Sequence, residues 1–186
     1  MSGTVERRVL VAGIGNVFLG DDGFGVEVVR RMDGSALPAN VEVADYGVRG
    51  VHLAYELLDG RHDVLIMVDA VPVEGPSGTL AVIEVNAASV DDTETGADPE
   101  DPLGPPAVDG HGMHPVAVLR LLRRLGGDLP RVFVVGCRPE VVDERMDLSE
   151  PVRAAVDEAV RMVTDLACDE AASDKTTSTD PERAHA

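Results

Sequence analysis

With 186 residues and 44% hydrophobic content, the chain is one domain by length and able to bury a substantial core. Its formal charge of −18 would repel a phosphate polymer, which excludes nucleic acid and favours a basic protein partner or a metal ion. No apolar run approaches the roughly 20 residues that span a bilayer, and Met1–Arg8 lacks the apolar segment of a secretory signal, so the expected location is cytoplasmic, away from membranes.

The first predicted element is a strand, Arg8–Ala12, followed by a glycine-broken loop, Gly13–Gly23, and a helix, Phe24–Met32. Val41–Ala44 is β-rich, and Val51–Leu58 is a helix closed by Gly60. Val64–Val68 (VLIMV) is apolar at every position, as in a strand covered on both faces. Thr79–Val85 follows after only a turn-rich connection, which predicts an antiparallel return and not a crossover. The polar, acidic stretch 86–110 is expected to be a mobile excursion beside the site. A helix over Pro115–Leu125 has Pro in its first turn and Gly126-Gly127 at its end; Arg131–Val135 is the last strand. Ser149 is expected to cap a final helix running to about Ala167. The order βαβαββαβα predicts an α/β fold: a three-layer twisted sheet, mostly parallel with one antiparallel strand, with helices on both faces. The domain is placed at 8–167, with residues 1–7 and 168–186 as disordered tails.

Gly13-Ile14-Gly15 invites a dinucleotide site, but the third small residue of that fingerprint is replaced by Phe18, and Asp21 and Asp22 would face the pyrophosphate. Asp45, after the second strand, could serve as a ribose ligand, yet the loop is wrong for it. No Gly-Lys-Ser/Thr follows, so a phosphate-binding loop is out. Acids at a helix N-terminus also complement its dipole, and one of Asp21 and Asp22 is expected to do only that. Asp69 closes the apolar strand, either bonding to the next turn or pointing into the crevice beside the first loop. Of His111 and His114, bracketed by Gly112 and Pro115, at most one is a ligand, and His114 is the natural helix cap. His52, His62 and His185 suggest no site. Cys137 and Cys168 form no Cys-x-x-Cys pair; they read as reduced thiols, with Cys137 as packing. Asp22, Asp69 and His111 would converge on one sheet edge, where two carboxylates and an imidazole suit a borderline divalent ion or a metal-free, aspartate-driven hydrolysis.

Five motifs in order resemble those of the NiFe-hydrogenase maturation endopeptidases. They are Val11–Asn16 with Leu19–Gly25, Asp45–Gly50, Val68-Asp69-Ala70, His111-Gly112-Met113, and Gly136–Glu140, covering about Arg8 to Ala167. The resemblance implies a twisted α/β sheet and an endopeptidase that removes a C-terminal extension from a hydrogenase large-subunit precursor once nickel is inserted. It implies Asp22, Asp69 and His111 as nickel ligands, and Asp45 as a further acid that matters for activity. The expected nickel arrives with the substrate, no nucleotide is needed, and the partner is that precursor. Two other readings stay open: a nickel-sensing chaperone that binds the precursor without cutting it, and a dinucleotide-binding oxidoreductase.

Overall fold

Along the central strands, side chains alternate between two apolar layers, and this alternation sets where every long helix packs. The computed structural model describes residues 6–91 and 114–173. Strands β1 (Val9–Ile14), β2 (Val41–Gly47), β3 (Val64–Ala70), β4 (Leu80–Val85) and β5 (Arg131–Cys137) form one sheet in the order β2-β1-β3-β5-β4. Every pairing is parallel except that of β4 with β5. The helices are α1 (Phe24–Arg31), α2 (Gly50–Leu57), α3 (Ala87–Asp91), α4 (Pro115–Arg124) and α5 (Glu150–Ala172), with 3-10 turns at Gly20–Gly23 and Gly34–Ala36. The α/β class and the three layers are as the sequence predicts.

One layer joins Val9, Val11, Val64, Ile66 and Val68 to α1 and α5. The other joins Leu10, Ala12, Leu65 and Met67 to α2 and α4. Each fully buried side chain of this size contributes about 1.5–3 kcal/mol, so these two layers are the main source of stability. β4 differs: its side chains are half-buried or exposed in alternation, which suits the edge position it takes. It runs antiparallel, as expected, but its neighbour is β5 and not β3. β5, buried at every position after Arg131, has more to gain from the covered centre.

The order β2-β1-β3 creates the site. After β1 the chain leaves through α1 on one face, and after β3 it leaves through Val71 and Val73 on the other. Adjacent parallel strands whose exits diverge leave a crevice at their carboxyl ends.

β1, β2, β3 and β5 each run two or three residues past their expected ends, which places Asp45 and Asp69 within strands, and three larger differences appear elsewhere. α5 runs on to Ala172, so residues 168–172 are helix and not tail. The 1–7 tail is also too long: Arg7 is buried. One charge cluster explains both. Glu170, though acidic, sits in that cluster, 2.9 Å from Arg7 and 2.9 Å from Arg131, while Asn40 donates to the carbonyls of Arg7 and Ala171. Within the 86–110 excursion, residues 87–91 form α3, whose Val90 is buried in the second layer and whose carbonyl accepts from Arg120. The rest of that stretch lies outside the described residues.

Candidate active site

The loop after β1 makes a sharp turn that only glycine permits. Gly15 has φ 129°, and a Cβ there would collide with the carbonyl of Asp22 and reach 3.7 Å from Asp69 Oδ1. A bare backbone thus separates Asp22, on the 3-10 turn, from Asp69, at the end of β3. Asp22 Oδ2 accepts the Asn16 N–H at 2.7 Å, and Asp69 Oδ1 accepts the N–H of Ala70 at 2.8 Å. Asp69 is 5% exposed and Asp22 is half-buried. Burial raises both carboxyl groups above their ordinary range, Asp69 furthest, and the Asp22 charge raises Asp69 again. Two carboxylates held together at such a cost could hold a cation. Divalent charge would relieve both the burial and the repulsion.

Asp21 is spent differently. It is fully buried, and its Oδ2 accepts from the amides of Glu140 and Val141 and from the Ser149 hydroxyl, all at 2.8 Å. Its Oδ1 accepts from the Ser149 amide at 2.6 Å. Burial works to raise its pKa, but these donors outweigh it and hold the carboxyl below its ordinary value. Asp21 is therefore the structural member of the adjacent pair, and its work is to latch the β5–α5 loop onto the first loop. Ser149 stands at the start of α5 as expected, but its hydroxyl makes no cap bond because it donates to Asp21.

Asp45 lies one strand away, at the end of β2. Arg30 of α1 holds its Oδ2 through Nε at 3.1 Å and a terminal nitrogen at 3.0 Å, and its Oδ1 lies toward Gly47. The structure thus brings Asp22 and Asp69 together and sets Asp45 beside them, not within the pair. His111 lies outside the described residues. His114 occupies the cap position of α4, where its carbonyl accepts from Ala117 and Val118, but its side chain makes no cap bond. Among the described residues no third His, Cys, Asp or Glu completes a metal-binding group. Cys137 and Cys168 are free thiols; burial of Cys137, with the Asp21 charge adding, pushes its thiol up to about 12, which removes it as a nucleophile.

The Gly13-x-Gly15 pattern has a packing origin. A Cβ on Gly13 would collide with Val29, and one on Gly25 with the Val68 carbonyl. These glycines let α1 settle onto β1 and β3, and Gly15 makes room for the Asp22 turn. Sequence reasoning missed Asn16, whose amide holds Asp22, and Arg30, which holds Asp45. The only signal for Arg30 was a basic residue in the last turn of α1.

No protein-family model matches the chain. Its curated relatives and solved neighbours nevertheless agree. It is 32% identical over 161 residues to a Methanocaldococcus jannaschii protein assigned as a hydrogenase maturation protease, spanning 85% of this chain and 95% of that one. A crystal structure of a hydrogenase 2 maturation peptidase from a Thaumarchaeota archaeon superposes with a TM-score of 0.60 at 32% identity, covering 86% of this chain and 97% of the other. The Escherichia coli hydrogenase maturating endopeptidase HybD superposes with a TM-score of 0.63 at 26% identity, over 84% and 89% of the two chains. With near full-length similarity at this identity, and the same mixed five-stranded sheet beneath it, the chain belongs to the hydrogenase maturation protease family.

Proposed function

We propose that this protein is the cytoplasmic endopeptidase that removes the C-terminal extension of a NiFe-hydrogenase large-subunit precursor after nickel has been inserted. The observation that carries the reading is the Asp22–Asp69 pair at the crevice between the diverging exits of β1 and β3, with both carboxyls raised by burial. Nickel enters as part of the substrate. Asp22 and Asp69 offer it oxygens, and His111, three residues ahead of the α4 cap, offers the imidazole.

The residues divide the work. Asn16 orients Asp22, and the Ala70 amide orients Asp69, so their oxygens wait in place before substrate arrives. Bound nickel supplies Lewis acidity toward the scissile carbonyl or a water. Asp45, with Arg30 on one oxygen only, is the carboxylate assigned to take a proton. Asp21 is excluded from that role because four donors already occupy it. Among the described residues no helix is long and apolar enough to cross a membrane, in keeping with action on a newly made subunit.

Intact-mass spectrometry of nickel-loaded and nickel-free precursor after incubation with the protein tests the reading. Loss of a C-terminal peptide from the loaded sample alone is the expected result. A stable complex with no mass change would replace the peptidase with a nickel-sensing chaperone.

A further inference from the structure

Exposed apolar side chains gather at the edge that carries the carboxylates. Phe18, Val142 and Met146 are 61%, 54% and 72% exposed, on the loops that follow β1 and β5. These loops are stitched together. Leu19 bridges to Arg145, the Arg145 amide donates to the Phe18 carbonyl at 3.1 Å, and the Gly20 amide donates to the Arg145 carbonyl at 2.7 Å. The Asp21 amide donates to the Val141 carbonyl at 2.9 Å, and its carboxylate completes the latch. All three apolar residues thus lie within one residue of a stitch, on backbone that cannot fold them away from water. Phe18 also donates its amide to Asn16 Oδ1, and Asn16 in turn holds Asp22. The patch and the carboxylate cradle share one rigid loop. Single exposed apolar residues are ordinary, but a cluster fixed at the rim of a site marks a contact surface.

Charge identifies the occupant. On the β5–α5 loop, Glu140, Asp143, Glu144 and Asp147 are all exposed, against one exposed cation, Arg145; the loop's other cation, Arg138, is half-buried and donates to the Val73 carbonyl. A chain of net charge −18 would meet this fringe with repulsion, so a second copy is a poor occupant, and so is an anionic lipid or nucleic acid. We infer that the rim of Phe18, Val142 and Met146 docks the substrate polypeptide beside the scissile bond, taking a segment with a large apolar side chain next to basic residues. This rests on the peptidase reading above. The apolar side chains anchor the segment, and the acids steer it in.

The test is steady-state cleavage of nickel-loaded large-subunit precursor from the same cells, followed by mass spectrometry. F18S/M146S raises KM about tenfold with kcat unchanged, the effect of removing apolar anchors at a contact surface. F18L retains the apolar anchor and keeps KM near that of the unaltered protein. D143K/D147K raises KM at low salt, and the deficit narrows as salt is added. V82S, on the remote β4 edge, changes nothing. An unchanged KM in F18S/M146S, while the unaltered protein cleaves, overturns the docking inference and leaves the peptidase reading standing. A raised KM in D143K/D147K that salt does not narrow overturns the basic character of the segment. No cleavage by the unaltered protein overturns the peptidase reading, and this inference falls with it.

Discussion

Burying a carboxylate disfavours its charge, and the chain meets that cost in two ways at neighbouring positions. Asp21 is surrounded by donors and stays ionised; Asp22 has one amide and faces a second acid. Their replacements should behave in opposite ways. Asp21→Ala strands buried amides and should cost roughly 3 kcal/mol, read as a lowered denaturation midpoint. Asp22→Asn or Asp69→Asn should instead lower precursor cleavage by about 100-fold or more without lowering stability. The sign for Asp69 follows from linkage. A carboxyl whose folded pKa lies above its unfolded value near 3.8 binds protons more tightly when folded, so its contribution falls as pH rises from that value through the raised one. Asp69→Asn should therefore melt higher than the unaltered protein at neutral pH, and the gap should close in acid. Because those protons must leave first, divalent-ion binding at the pair should weaken as pH falls and release protons, measurable by calorimetry in buffers of differing ionisation heat.

At the scale of elements, α1 matters because it reaches from the active loop to the sheet. Its buried face, Phe24, Val28 and Val29, packs over β1 and β3, and Gly25 brings it close enough for Arg30 to reach Asp45. Gly25→Ala should force the helix away from the Val68 carbonyl and cost about 1–3 kcal/mol, with a matching fall in the urea midpoint. The same replacement would do little if the glycines served only a nucleotide. The elements were largely legible in sequence because periodicity and breakers are local: β3 opens on the unbroken apolar run Val64–Val68, and Pro115 and Pro151 sit in the first turns of α4 and α5. The neighbour of β4 was not legible. Strand order depends on which apolar run gains most from the covered centre, and that is a comparison across the whole chain.

Across the whole molecule, the two sheet edges have separate tasks. The carboxyl edge holds the acids and the exposed rim; the opposite edge holds Arg7, Glu170 and Arg131, clasping the start of β1 to the end of α5. Glu170→Ala would remove the acid that Arg7 and Arg131 share, with Arg131 keeping Glu84, and should cost about 1–3 kcal/mol. Divalent-ion affinity at Asp22 and Asp69 should not change, since the cluster is a full strand length away. A chain ending after Ala167 should show the same loss of stability, by thermal melt, because the acidic tail end is part of the fold.

The sequence by itself determined the order of the strands and of the helices other than α3, the two apolar faces of the sheet, and the acidic character of the loop after β1. Those are local properties, written in periods of 2 and 3.6 and in glycine and proline breaks. Only the tertiary structure decided which of Asp21 and Asp22 is structural, because the donors that hold Asp21 come from residues 119 to 128 positions away. It decided likewise that Asp69 faces Asp22 and does not merely close its strand, and that Glu170 is packed and not solvated. A carboxylate's role depends on the donors and charges that folding brings to it, and these need not be near it in the chain.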